Sequence, residues 1–207
     1  MRLASVRMMN ELNCSPSWAS CIILARRTRV RDIVAHLPLK ELSDCEYFIE
    51  TGTGLGDGID RALSIAIPSI QSIELDLEFY RLAYDKFRNN LSVRLYYGSS
   101  PDVLSHIIVP QPNTVFWLDA HWSGGRWGQA VDQKYGQCPL LAELRVILSF
   151  KWDVPPLILI DDADFFIKGA VGNYHAENYP TLEQIKTAVA PMKVEVGSED
   201  DYLRIAG

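Results

Sequence analysis

The segment Glu50-Thr51-Gly52-Thr53-Gly54-Leu55-Gly56 sets three glycines at alternate positions behind an acid. Glycines at a strand-to-helix turn let backbone approach a ligand closely, and the start of a helix supplies free N–H groups. The dinucleotide spacing G-x-G-x-x-G fails whether counted from Gly52, where it ends on Asp57, or from Gly54, where it ends on Ile59. No G-x-x-x-x-G-K-[ST] phosphate loop exists either. An acid heading the loop suits an amine or ammonium better than a pyrophosphate, because carboxylate and phosphate repel.

A second set of acids follows two apolar runs. Asp119 comes after Thr114–Leu118, with His121 two residues on, and Asp161-Asp162 come after Leu157–Ile160. Three carboxylates brought together repel unless a proton or cation intervenes. As a metal site, Asp119, Asp161 and Asp162 offer only oxygen, which suits Mg²⁺. Such an ion lowers the pKa of a bound hydroxyl. The rival is a metal-free site in which Asp119 alone orients or deprotonates a substrate. His121 is a candidate general base near neutral pH; the alternative is a loop histidine packed against Trp122 and Trp127.

These residues need elements to position them. From residue 46 onward strand-like runs alternate with helical patterns. Tyr47–Ile49, Ser72–Leu75, Val93–Tyr97, Thr114–Leu118 and Leu157–Ile160 are the strand candidates. Helices are expected through Ile59, Leu63 and Ile67, ended by Pro68, and through Tyr80, Ala83, Tyr84 and Phe87. A third has Ser100 as cap and Pro101 at its first position, with Val103, Leu104, Ile107 and Ile108 as its apolar face. Pro139 opens a helix carrying Leu140, Leu141, Leu144, Ile147 and Leu148, and Thr181 caps one with Leu182, Ile185 and Val189 inward. Lys193–Val196 and Tyr202–Ile205 flank the turn Gly197-Ser198-Glu199-Asp200 as a closing hairpin. The alternation implies an open α/β sheet with helices on both faces. Residues 1–45 form a helical extension, with Ser15-Pro16-Ser17 as a start signal, ahead of a domain over 46–207. Two loops border the expected crevice. Trp122–Gln137, rich in glycine and tryptophan, suits a lid over a ring-like substrate. Phe165–Tyr179 carries Lys168 and His175.

In order along the chain stand Glu50–Asp57, Ile73-Glu74-Leu75, Leu118-Asp119-Ala120-His121-Trp122-Ser123-Gly124-Gly125, Cys138–Leu144 and Ile160-Asp161-Asp162. This series resembles the class I S-adenosylmethionine-dependent methyltransferases from about Tyr47 to the C-terminus, and within them bacterial proteins with E-T-G-T-x-x-G-D, I-E-L, L-D-x-H-x-S-G-G, C-P-L-L-x-E-L and I-D-D motifs. The resemblance implies a Rossmann-like sheet of about seven strands, order 3-2-1-4-5-7-6, with S-adenosylmethionine as cofactor. Gly52, Gly54 and Gly56 would pass under its methionine part, and Glu50 would lie near the amino group. Glu74 would accept both ribose hydroxyls, Leu75 would line the adenine, and Gly98-Ser99 would border its edge. Many members have an acid where Ser99 stands, so that contact is expected to be weaker. The same sheet order makes the strands ending in Asp119 and Asp161-Asp162 neighbours, about 4.8 Å apart. The acids then resemble those of metal-dependent sugar O-methyltransferases of antibiotic biosynthesis. By that analogy the acceptor is a small hydroxylated molecule, a sugar or glycan precursor. An Asn/Asp-Pro-Pro-Tyr motif for amino-group methylation is lacking, as is a strand-end cysteine for cytosine C5 chemistry. A non-catalytic methyltransferase-like module and an NAD-dependent dehydrogenase are the competing classes; the intact motif argues against the first and the glycine spacing against the second.

Composition bounds the rest. The 207 residues, 48% hydrophobic and 22% charged, suit a globular domain that needs no staple. Net charge is −6, with seven basic and two acidic residues in 1–40 and 13 basic against 24 acidic in the remainder. An acidic body is a poor platform for nucleic acid. No apolar run is long enough to span a membrane, and Cys21–Ala25 is too short for a secretion signal. Cys14, Cys21, Cys45 and Cys138 lack C-x-x-C or zinc spacing, which reads as reduced thiols in a cytoplasmic protein. Oligomeric state is not legible.

Overall fold

The computed structural model describes residues 37–122, 130–169, 178–197 and 202–207. The expected helical extension up to residue 36, with Cys14 and Cys21, lies outside these. So do 123–129 of the first loop with Trp127, 170–177 of the second with His175, and the tip of the hairpin turn.

Seven strands form one sheet: β1 Tyr47–Thr51, β2 Ser69–Glu74, β3 Val93–Tyr97, β4 Thr114–Leu118, β5 Leu157–Asp161, β6 Lys193–Val196 and β7 Tyr202–Ala206. Their order is β3-β2-β1-β4-β5-β7-β6. The first five are parallel, and β7 runs antiparallel to β5 and β6. The helices are α1 Asp57–Ser64, α2 Leu77–Phe87, α3 Ser100–Ile107, α4 Leu140–Ser149, α5 Ala163–Ile167 and α6 Leu182–Val189. This is the expected Rossmann-like architecture, with its C-terminal antiparallel hairpin. None of the described helices is long and apolar enough to cross a membrane.

Strand side chains alternate between two cores, as a period of two requires. Phe48, Val115, Trp117 and Leu159 meet α1 and α2 on one face, joined by Leu37, Leu42 and Cys45. Ile49, Phe116, Leu118, Ile158 and Ile160 meet α3, α4 and α6 on the other. Central strands buried on both faces explain the unbroken apolar runs at 114–118 and 157–160.

Five local expectations are corrected. Strand β2 begins at Ser69, and Leu75 falls just beyond its end. Helix α1 stops at Ser64, and Ala66 takes a left-handed φ of 59°, so Ile67 packs in the core from outside the helix. The inward face of α2 is Phe79, Ala83 and Phe87, spaced four apart, while Tyr84 is 48% exposed. The cap of α3 is Ser99, without a side-chain capping bond, and Ser100 is instead buried in the first turn. Thr181 caps α6 as expected, in a reciprocal box with Gln184. Helix α5 stands where loop was expected.

Candidate functional site

Parallel register brings the strand ends together. Glu50 lies opposite Ser72 and Trp117, Thr51 opposite Ile73 and Leu118, and Leu118 opposite Ile160. Glu50, Glu74, Asp119 and Asp161 therefore gather at the C-terminal edge of the sheet, where open α/β folds bind ligands.

On the glycine-loop side, Glu74 is only 7% exposed. Its Oε2 accepts the Gly54 N–H at 2.8 Å and its Oε1 accepts the Asp76 N–H at 2.7 Å. Burial raises its pKa to about 6 against the pull of these two amides. Each oxygen keeps a further lone pair for a ligand hydroxyl. Gly54 has φ +51° and open space on the side where a Cβ would stand, so the loop presents bare backbone next to the pinned carboxylate. Lys86 holds the loop from α2, donating to the Leu55 carbonyl at 3.1 Å and pairing with Asp60 of α1.

Glu50 is 2% exposed and accepts from the Ser72 hydroxyl at 2.5 Å; Ser72 also meets Thr53 Oγ1 at 2.6 Å. Burial first, then the facing Glu74 and Asp57, push Glu50 up to about 8. The first turn of α1 roofs it so closely that a Cβ on Gly58 would lie 1.8 Å from Glu50 Oε1. Gly58 was not singled out in the sequence, although it continues the alternate-glycine spacing. Leu75 is half-buried after β2. The Gly98 N–H donates to the Glu74 carbonyl at 2.9 Å, which brings the 98–99 turn beside the acid. The Ser99 hydroxyl is buried with no hydrogen-bond partner among the described residues.

On the other side, Asp119, His121, Asp161 and Asp162 do converge. His121 Nε2 lies 2.9 Å from Asp162 Oδ2, and Nδ1 lies 3.5 Å from Asp119 Oδ1. The Asp119 side chain remains 28% exposed. Burial, followed by the facing Asp161, Asp162 and Glu50, raises its pKa well above the usual carboxylate range. Asp162 adopts a left-handed φ of 53°, and its N–H donates to Asp161 Oδ1 at 2.9 Å. The His121 ring packs edge-on to Phe165 of α5 and to Tyr179; the alternative that sets it against Trp127 lies outside the described residues. Tyr179 in turn donates to the Trp122 carbonyl at 2.9 Å. At the neck of the expected lid, the Trp122 N–H reaches the Gln137 carbonyl at 2.7 Å. The described end of that loop is tethered to α3, with Lys134 and Tyr135 both donating to Asp102.

Magnesium fits this arrangement poorly. The imidazole stands between Asp119 and Asp162 and meets one oxygen of each. Among the described residues, no group of three His, Cys, Asp or Glu side chains is disposed to hold a metal. Cys45 and Cys138 are buried free thiols, pushed up to about 12 by burial and hence unreactive.

One acid was missed. Glu143 of α4 is 1% exposed, and its Oε1 has no hydrogen-bond partner among the described residues. Its position was legible: Leu140, Glu143, Leu144 and Ile147 follow the i, i+3, i+4, i+7 stripe that faces a core.

The fold is shared with solved methyltransferase structures. An SAH-bound methyltransferase of Podospora anserina aligns with TM-score 0.60 and 13% identity, covering 97% of this chain and 93% of that one. An O-methyltransferase from Bacillus cereus in complex with SAH gives 0.60 and 14%, covering 98% and 96%. The O-methyltransferase TomG from Streptomyces achromogenes, in complex with SAM and involved in tomaymycin synthesis, gives 0.56 and 15%, covering 98% and 95%. No family model and no curated protein matches the sequence.

Proposed function

We propose that the chain is an S-adenosylmethionine-dependent methyltransferase acting on a hydroxyl oxygen of a small acceptor, a sugar or glycan precursor. The observation that carries this reading is the Glu74 carboxylate, fixed by two backbone amides beside the open face of Gly54. Two oxygens held in place, each with acceptor capacity left over, suit the paired hydroxyls of a ribose. The solved structures of the same fold with SAM or SAH bound support the choice of nucleoside.

In this reading Gly52, Gly54 and Gly56 underlie the methionine part and Glu50 faces its ammonium, a neighbour that favours the ionised carboxylate. Leu75 lines the adenine, with Gly98 and Ser99 at its edge. Bound there, S-adenosylmethionine supplies a methyl carbon made electrophilic by the attached sulfonium. Asp119 holds the acceptor hydroxyl and takes its proton, a task suited to a carboxylate made more basic by burial and by the facing Asp161, Asp162 and Glu50. His121, between Asp119 and Asp162, orients the carboxylate and balances the local charge. Much of the rate enhancement then comes from holding oxygen and methyl in line. The step needs no metal. A calorimetric Mg²⁺ signal lost in Asp161→Asn would return magnesium to the site.

The test is calorimetry with S-adenosylhomocysteine and, separately, NAD. The expected result is binding of the first only, weakened by about 1–3 kcal/mol in Glu74→Ala, the range for a lost charge-assisted hydrogen bond. Binding of NAD alone would make the chain a dehydrogenase. Binding of neither would make it a non-catalytic module.

A further inference from the structure

Thr51, whose hydroxyl adjoins the Glu143 carboxyl, belongs to a junction of backbone. The Asp119 N–H donates to the Thr51 carbonyl at 3.0 Å, and a Cβ on Gly52 would come within 2.2 Å of the Asp119 carbonyl oxygen. The start of the glycine loop and the start of the acceptor loop are therefore in hard contact. Beside the Glu143 carboxyl stands the buried Thr51 hydroxyl, which pulls its pKa down, while Glu143 Oε1 has no hydrogen-bond partner of good geometry among the described residues. Ser100, the first residue of α3, adjoins the same carboxyl. A buried polar atom left unpaired costs on the order of 1–3 kcal/mol, and native interiors seldom tolerate one.

A small cavity adjoins Glu143. Its volume is about 10 Å³, and His121, Glu143, Ala120, Cys138, Leu118 and Ile160 are among the residues lining it. That is roughly the room one water needs, and polar walls of this kind hold water where apolar ones stay dry. His121 and Glu143 thus line one pocket with room for a water. Burial pushes the Glu143 carboxyl up to about 7 against the pull of the Ser100 and Thr51 hydroxyls and, after them, of His121.

We propose that Glu143 is a positioning residue of the acceptor site, and that one water bound in this cavity to its carboxyl backs His121 and keeps the imidazole between Asp119 and Asp162. Glu143 touches neither donor nor acceptor. It acts through His121, and so bears on the methyl-transfer reading proposed above without resting on donor binding.

Crystal structures of the wild type, Glu143→Gln and Glu143→Leu test this, alongside calorimetry with S-adenosylhomocysteine on each. In the wild type one ordered water lies within hydrogen-bond reach of Glu143 Oε1. Glu143→Gln, which keeps volume and polarity, retains the water and the 2.9 Å contact of His121 with Asp162. Glu143→Leu loses the water, and the imidazole leaves that contact, while S-adenosylhomocysteine affinity changes less than about threefold, the loop being held independently by Glu74. A dry cavity in the wild type, or an unmoved His121 in Glu143→Leu, overturns the proposal. If Glu143→Leu does not fold, the wild-type and Gln structures still decide: a dry cavity in the first, or a displaced His121 in the water-retaining second, refutes it. Failure of the wild type to bind S-adenosylhomocysteine, with water and imidazole in place, refutes the methyltransferase reading and leaves this one standing.

Discussion

Gly52, Gly54 and Gly56 share a spacing, but each is required by a different neighbour. A side chain at Gly52 would strike the Asp119 backbone, and its φ of +83° is strained for any other residue. One at Gly56 would strike the Phe87 ring at 2.4 Å. Gly54 alone meets nothing, and its N–H is the one Glu74 holds. The three should therefore separate in experiment. Gly52→Ala is expected to destabilise the protein by about 3 kcal/mol or more, since backbone strain and a backbone clash add. Gly54→Ala should cost only about 1–2 kcal/mol, the penalty for an L residue in the left-handed region. It should nonetheless weaken S-adenosylhomocysteine by at least about tenfold, or ~1.4 kcal/mol, by placing a methyl where the ligand lies. Urea titrations and calorimetry measure the two effects. Unchanged binding by a folded Gly54→Ala would remove the loop from the donor site.

At the level of elements, helix α2 is tied to the site through its first residues. Asp76 caps it, its Oδ1 accepting the Glu78 N–H at 2.9 Å and the Phe79 N–H at 3.4 Å, while the Asp76 N–H serves Glu74. Asp76→Ala removes the cap but keeps that N–H. It should lower stability by about 1 kcal/mol and leave S-adenosylhomocysteine affinity within about twofold; a larger loss would mean that the Asp76 carboxylate itself meets the ligand. The elements also show which features sequence exposes. Alternating runs and the ordered motifs were enough to expect the sheet order and the convergence of Asp119, Asp161 and Asp162, because periodicity is local and the motifs sit at strand ends. The pairing of His121 with Asp162 was not legible. It depends on the left-handed turn at Asp162 and on the short helix α5 that brings Phe165 against the ring, both set by tertiary packing. Tyr84 was misplaced for a related reason: a tyrosine reads as apolar in a periodic pattern, whereas the 79-83-87 stripe decides the buried face of α2. Glu143 was visible as an acid on an apolar stripe, and only its surroundings show why it is there.

Across the whole molecule, the buried acids at one end of the sheet make stability depend on pH. Glu74, Glu143 and Glu50 have folded-state pKa values raised to about 6, 7 and 8 from an ordinary value of 4.5. For an acid raised in the folded state, the unfolded chain releases its proton first as pH climbs. Stability from these groups is therefore complete below about pH 4.5 and drains away as pH rises through 6, 7 and 8 in turn. The net charge of −6 works in the same direction, since further ionisation adds self-repulsion. The ligand-free protein should thus melt progressively lower between pH 6 and pH 9. Glu50→Gln, which imitates the protonated acid, removes the last of the three losses. A pKa unit corresponds to about 1.4 kcal/mol, and 1 kcal/mol moves the Tm of a chain this size by about 2–4 °C. The Glu50→Gln variant should therefore melt at least about 2 °C above the wild type at pH 9, with a smaller difference at pH 6. Calorimetric scans across that range measure both curves. Parallel curves would mean that Glu50 is already ionised in the folded protein, with a cation or solvent reaching it beneath the first turn of α1.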